Sequence, residues 1–301
     1  MVVGNQTVDR ETRLGIIRRA YAKRVMAAAG VDDRRVEAAF AAVKREDFLG
    51  RGPWQVVRWN LATSRSDYVR TPSRDPVYLY DDAAVAIMPE RALNNGVPSF
   101  LAALITGASP NPGEHAVHIG AGVGYYTAIL AHLVGRRGRV TAIELDALLA
   151  ERARKNLAAQ RNVRVIQGDG AEVTFEPADV ILVNAGATRP ADTWLDALAE
   201  GGRLILPLTT NQGFRGDATI PLERRGAVFR IARHSDEYAA ERISAVAIFP
   251  CEGMRDAASE AALAAAFIKG GAEHVTRLYR HNEVPEEDCW VRGRGWCLAY
   301  R

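Results

Sequence analysis

Several absences narrow what this chain can be. It has only 3 cysteines, Cys251, Cys289 and Cys297, all near its end and none in a Cys-x-x-Cys spacing. An odd, clustered set of this kind argues against a disulfide framework and for reduced thiols that pack in the interior. The longest apolar run, residues 261–268, falls far short of the roughly 20 residues that cross a bilayer. No membrane partner is therefore expected. The opening Met-Val-Val-Gly-Asn-Gln-Thr-Val-Asp-Arg has no apolar core of the secretory type, so a cytoplasmic location is expected. Among 6 histidines the pair nearest to ligand spacing is His115 and His118. Three apart on a strand, they point to opposite faces, and no metal site is expected. There is no internal repeat and no low-complexity linker.

What is present is an ordinary globular composition, 301 residues with 48% hydrophobic, enough for a sizeable core. The net charge of +3 hides an asymmetry, because residues 1–70 hold 14 Lys/Arg against 8 Asp/Glu. A solvated helix face is the preferred account of this over a surface for nucleic acid or acidic substrates. No stacking-aromatic motif or RNA-binding module accompanies the basic region, and nucleic acid is not expected as a partner.

Periodicity divides the chain into three. Residues 1–95 read as two helices, with Leu14, Ile17, Tyr21 and Val25 and then Val36, Phe40 and Val43 at helical spacing, followed by loops and short strands from 51 to 95. Residues 96–252 alternate strand-like runs at 116–119, 139–143, 163–166, 180–183 and 203–206 with helical segments at 126–134, 147–159 and 193–199. Such alternation predicts crossover connections and an α/β, doubly wound, mostly parallel sheet. Runs at 228–232 and 243–249 complete an expected seven strands, the last two as an antiparallel pair at one edge. Residues 253–301 read as a C-terminal α+β extension, with a helix at 257–268 and strand-like runs at 275–279 and 290–300. Its Tyr279, Trp290, Trp296 and Tyr300 are expected to pack on the main domain or on a second subunit, as a homodimer contact.

The sharpest motif is Val117-His118-Ile119-Gly120-Ala121-Gly122-Val123-Gly124-Tyr125, an apolar strand running into three alternating glycines before a helix. Such glycines permit a tight turn and bring backbone close to a ligand at the strand's carboxyl end. Glu144 closes the next apolar run, about 20 residues on, where a ribose diol finds a carboxylate acceptor. Asp169 and Gly170 end the third run, so all three carboxyl ends line one crevice. A nicotinamide fingerprint of Gly-x-Gly-x-x-Gly would put its third glycine at Tyr125, where this chain has it one place early. The spacing therefore favours S-adenosylmethionine over a dinucleotide, while a bare turn without ligand stays as the plain alternative.

Taken together, these pieces resemble the protein-L-isoaspartate O-methyltransferase family. Val36 to Leu49 is similar to its N-terminal helix with a Val-Pro-Arg-Glu-x-Phe ending, Lys44 replacing the proline. Gly120 to Tyr125 with Thr127, Ala128 and Leu130 is similar to its Gly-x-Gly-x-Gly-Tyr-x-Thr-Ala-x-Leu segment, and Ala178 to Ala185 with Gly201 to Pro207 to its later strands. The resemblance implies a Rossmann-like methyltransferase that uses S-adenosyl-L-methionine. It implies that Gly120, Gly122 and Gly124 lie beneath the cofactor, that Glu144 binds its ribose and that Asp169 and Gly170 face its adenine.

The acceptor is expected to be a carboxylate of a protein or peptide, with a small molecule or a peptide other than isoaspartate as the alternative and RNA as the last. Where the family carries Thr-Ile-Ser-x-Pro, this chain reads Asn94-Asn95-Gly96-Val97-Pro98, with Ser99 a shifted substitute for the missing hydroxyls. Asn94 and Ser99 are the candidates for holding the acceptor, and Asn184, at the end of the fourth run, for a place near the reacting methyl.

Overall fold

Asp9 starts the first helix, its carboxylate accepting from the backbone N–H groups of Glu11 and Thr12 at 2.9 and 3.1 Å. That helix, α1 (Arg10–Ala29), ends at Gly30, whose φ of 66° closes it in the left-handed region. Asp33 caps α2 (Arg34–Ala42) in the same way. The computed structural model describes residues 9–60, 65–212, 219–281 and 283–301, and they form two units, Met1–Thr106 and Gly107–Arg301. Most of the opening decapeptide lies outside the described residues. Among them, no helix is long and apolar enough to cross a membrane.

The first unit is organised around a charge that the sequence does not mark as interior. Arg45 is fully buried and donates from its guanidinium to the carbonyls of Leu79, Asp81 and Ala83 and to Oδ1 of Asn95. It lies 5.9 Å from the Tyr21 ring centroid. Those carbonyls belong to the irregular stretch that leads to the short hairpin of β3 (Ala86–Met88) and β4 (Leu93–Asn94). A preceding hairpin pairs β1 (Gln55–Asn60) with β2 (Arg65–Arg70), and α3 (Pro98–Ala108) follows. One buried cation thus satisfies several loop carbonyls that would otherwise be costly to desolvate.

The second unit is the expected α/β sheet. Strands β5 (His115–Ile119), β6 (Arg139–Glu144), β7 (Val163–Gln167), β8 (Ala178–Val183) and the start of β9 (Leu198–Thr209) are parallel, and they lie in the order β9-β8-β5-β6-β7. Crossovers α4 (Tyr125–Val134), α5 (Ala147–Asn156) and the short α6 (Asp192–Asp196) connect them. The sheet does not stop at seven strands, and it is parallel only in this half. Five antiparallel strands follow β9, giving a 10-stranded sheet. They are β10 (Gly226–His234), β11 (Glu237–Ala245), β12 (Arg277–Tyr279), β13 (Cys289–Gly293) and β14 (Trp296–Ala299).

The apolar run at 243–249 is not itself a strand: residues 243–245 end β11, which starts at Glu237 immediately after a tight turn at Ser235 (φ 57°), and 246–249 lie beyond it. Tyr238 and Ala240 point inward while Glu237, Ala239 and Glu241 face solvent. This alternation escapes a search for apolar runs. The run at 290–300 is likewise two strands, split by Gly295 at φ 79°.

That last hairpin also corrects the reading of the thiols. Its two strands bring the Cα atoms of Cys289 and Cys297 to 6.1 Å, and the pair forms a disulfide, leaving Cys251 free. The tail aromatics pack within this unit. Trp290 lies 5.5 Å from Phe229 and 5.3 Å from Phe267 between ring centroids, and Trp296 is 4% exposed in the same core cluster. The helix α7 (Ala257–Lys269) contributes Leu263, Ala266 and Phe267 to it. Each such ring removes roughly 150–250 Å² from water, so the extension stabilises the sheet's antiparallel half.

Candidate active site

The parallel strands end together, and their carboxyl ends carry the chemistry. Leaving β5, Gly120, Gly122 and Gly124 have φ of 76°, 57° and 92°, a run of left-handed backbone that side chains rarely tolerate. Close approach adds to this requirement. A Cβ on Gly124 would sit 2.7 Å from Leu157 Cδ1, and one on Gly120 3.2 Å from the Asn184 carbonyl oxygen. The turn is fastened to its neighbours by Gly120 and Ala121, which both donate to the Ile143 carbonyl, at 2.9 and 3.1 Å.

Glu144 holds the turn from β6. It is 8% exposed; its Oε2 accepts from the Gly122 N–H at 2.6 Å and its Oε1 from the Asp146 N–H at 3.0 Å. Burial pushes its carboxyl above the usual range, against the pull of the Asp146 and Gly122 amides. At the end of β7, Oδ1 of Asp169 accepts from the Ala171 N–H at 2.8 Å. Gly170 lies so close to Ile119 that a Cβ would overlap its side chain, and its carbonyl accepts from Trp194 Nε1 at 2.7 Å. The Asp-Gly turn is thus held against Ile119 of β5, two strands away, and against Trp194 of α6.

Residues after β11 complete this crevice, and sequence reasoning missed them. The Pro250–Met254 stretch is tied to the loop after β8: Gly186 donates to the Phe249 carbonyl, Cys251 to the Gly186 carbonyl and Thr188 to the Met254 carbonyl, all at 2.8–2.9 Å. It lies directly over Asp169, where a Cβ on Gly253 would overlap the carboxylate. The Cys251 thiol is pushed up to about 12, first by burial and then by the Asp169 charge. It stays protonated at neutral pH. No local signal marks these residues, because their meaning comes from a contact across more than eighty positions.

The structure brings Gly120, Gly122, Gly124, Glu144, Asp169, Gly170 and Asn184 together in one unit. Asn184 braces the turn, its Nδ2 donating to the Gly120 carbonyl at 3.4 Å. Asn94 and Ser99 belong to the other unit. There the Asn94 side chain accepts from the Gly96 N–H at 2.9 Å, and the Ser99 N–H donates to Asp82 Oδ1 at 2.8 Å. The two strand histidines do face opposite ways: His115 meets Thr141, while His118 meets Thr127 through Nδ1 at 2.9 Å. His118 is fully buried, and desolvation pushes its imidazole down to about 4.

The residues fit a nucleoside cofactor. The glycine cradle leaves no side chain between backbone and ligand. The two Glu144 oxygens, each holding one backbone donor, keep lone pairs for a ribose diol.

Comparison with known proteins decides the family. The model of the protein-L-isoaspartate(D-aspartate) O-methyltransferase family matches residues 53–219. The chain belongs to the protein-L-isoaspartate O-methyltransferase family.

It is 33% identical over 208 residues to protein-L-isoaspartate O-methyltransferase 1 of Rhodopseudomonas palustris, covering 68% of this chain and 74% of that protein. It is 30% identical over 175 residues to the Ignicoccus hospitalis enzyme, covering 57% and 77%. Of the 30% identical Thermotoga maritima relative it spans only 51%. A solved protein-L-isoaspartate O-methyltransferase superposes with a TM-score of 0.59 at 25% identity, over 77% of this chain and 65% of that one. A Plasmodium falciparum structure in complex with S-adenosyl-L-homocysteine shares the fold, with a TM-score of 0.57 at 17% identity over 78% and 97%. This family member is an S-adenosylmethionine-dependent methyltransferase with a Rossmann-like core.

Proposed function

We propose that the protein transfers a methyl group from S-adenosylmethionine to a carboxylate oxygen of a peptide or protein. The observation that carries this reading is the Glu144 clamp on the Gly122 amide at the mouth of β5. In this reading Gly120, Gly122 and Gly124 lie beneath the cofactor, Glu144 takes its ribose hydroxyls, and Asp169 with Gly170 faces its adenine. Asn184 sets the turn near the reacting methyl, while Asn94 and Ser99 hold the acceptor by hydrogen bonds. When bound, the cofactor supplies a methyl on a sulfonium whose leaving group departs neutral.

The protein's part is then alignment and a suitably polar site. A carboxylate nucleophile, with a reference pKa near 4, is already ionised at neutral pH and needs no general base. The nearby titratable groups agree with that requirement. His118 is sealed in the sheet with its imidazole near 4, and the Cys251 thiol near 12 is neither base nor nucleophile. The same reading puts the activity in the cytoplasm and leaves residues 253–301 available as a homodimer contact.

One observation favours an acceptor other than isoaspartate within this chemistry. Asn94 spends its side-chain oxygen on the Gly96 N–H, and Gly96 sits at φ 77°, so the segment is a tight turn where the family has two hydroxyls. Two lost contacts of about 0.5–1.5 kcal/mol each lower kcat/KM by roughly one to two powers of ten. The test is steady-state kinetics on an isoaspartyl peptide, for the natural protein and for Asn94→Thr. Slow turnover that the variant raises supports the reading. Fast turnover by the natural protein shows the hydroxyls to be dispensable, and none by either form moves the acceptor to another class.

A further inference from the structure

The opposite ends of the same strands hold a second concavity. The connection from β7 to β8 runs only from 168 to 177 and contains no helix, so one face of β6 and β7 stays open near their amino ends. The pairing register puts His115 beside Arg139 and Thr141 beside Arg164 on that face. Further along it, Ile143 lies beside Ile166, where the connection covers the strands with Val173 and Phe175. The result is a cavity of about 300 Å³. Its floor is Ile166, Phe175 and Thr141, and its rim carries Arg139, Arg161 and Arg164.

The polar groups of this cavity are unevenly partnered. His115 is spent, its ring nitrogens on the Pro177 carbonyl at 2.9 Å and on Thr141 Oγ1 at 3.0 Å. Burial holds that imidazole below its usual range, so it adds no positive charge at neutral pH. Arg139 pairs with Glu176 at 2.8 Å. Arg161 and Arg164 make no ion pair or hydrogen bond among the described residues, and both are exposed. Two unpaired guanidinium forks above an apolar floor suit an oxyanion joined to a flat apolar group.

We propose that this cavity is a binding site for a small organic anion, a phosphate or carboxylate on a flat apolar body. The anion lies on Arg161 and Arg164 and the body on Ile166 and Phe175. The site is separate from the methyl-transfer crevice, because β5 and β6 present His115 and Arg139 at one end and Gly120 and Glu144 at the other.

The test is calorimetry on the full chain with S-adenosylhomocysteine saturating the crevice, using phenyl phosphate, benzoate and inorganic phosphate as probes. Phenyl phosphate or benzoate is expected to bind, and whichever is tighter identifies the natural anion as phosphate or carboxylate. The Arg161→Gln, Arg164→Gln double variant, which changes only exposed side chains, is expected to weaken that probe by about tenfold or more. Its affinity for S-adenosylhomocysteine should be unchanged, which separates loss of this site from loss of the fold or the cofactor reading. The proposal is overturned if neither organic probe binds, if the double variant binds it equally well, if S-adenosylhomocysteine displaces it, or if inorganic phosphate binds as tightly as phenyl phosphate.

Discussion

Replacing Glu144 tests the cofactor half of the site more sharply than any other single change. Its two carboxylate oxygens each accept from a backbone amide, Gly122 at 2.6 Å and Asp146 at 3.0 Å. Glutamine has the same shape but only one oxygen. Whichever way its amide turns, an NH2 group faces a backbone N–H, and one of the two acceptors proposed for the ribose is gone. Hydrogen bonds to a charged group contribute about 1.5–3 kcal/mol, so Glu144→Ala should weaken S-adenosylhomocysteine by roughly 10- to 150-fold. Glu144→Gln should lose at least as much as a neutral pair contributes, about 1 kcal/mol.

The pH dependence of Glu144 has a definite sign. Because burial raises its pKa, the carboxylate protonates at a higher pH than a free glutamate does, and cofactor affinity should fall as pH drops through that value. The folded protein without cofactor behaves oppositely, since the stability associated with the protonated form is lost as pH rises through it. Titration calorimetry at several pH values on the natural protein and both variants reads all of this. Unchanged affinity in both variants would show that Glu144 shapes the turn and touches no ligand.

Two further expectations rest on other contacts. Gly253→Ala should push Asp169 aside and weaken S-adenosylhomocysteine several-fold while the folded state loses only about 1–3 kcal/mol, the usual range for overpacking; equal affinity would remove the 250–254 stretch from the site. His118, neutral and held near 4 in the fold, contributes stability that is fully present above its unfolded pKa of about 6.5 and is lost as pH falls toward 4. The loss amounts to about 3 kcal/mol, and urea unfolding of the natural protein and of His118→Asn between pH 7 and 4 checks it, with identical slopes counting against it.

The glycine turn after β5 and the carboxylate beside it were legible because local rules and distant contacts agree there. Three glycines needed for left-handed backbone follow a fully buried strand, and a lone carboxylate ends the next one. The antiparallel half was harder to read. β11 alternates exposed and buried positions over its first five residues and lacks the continuous apolar run by which buried strands are found. The Cys289–Cys297 bridge needed the hairpin that aligns its strands. Arg45 looked like any charge at the end of a helix, since a buried guanidinium is recognised only by the carbonyls that surround it. Gly253 and Cys251 were silent for the same reason, because they reach Asp169 only through the folded chain.

The most direct measurement of the central claim is the chemical nature of the transferred methyl. Incubating the full chain with methyl-labelled S-adenosylmethionine and isoaspartyl peptides, aspartyl peptides or a protein extract, and then treating with mild alkali, distinguishes an ester from other linkages. Transfer to a carboxylate predicts label released as volatile methanol, with release from every acceptor reduced in Glu144→Ala. Label that survives alkali on its acceptor would place the methyl on nitrogen, carbon or an ether oxygen, and would contradict carboxylate methylation.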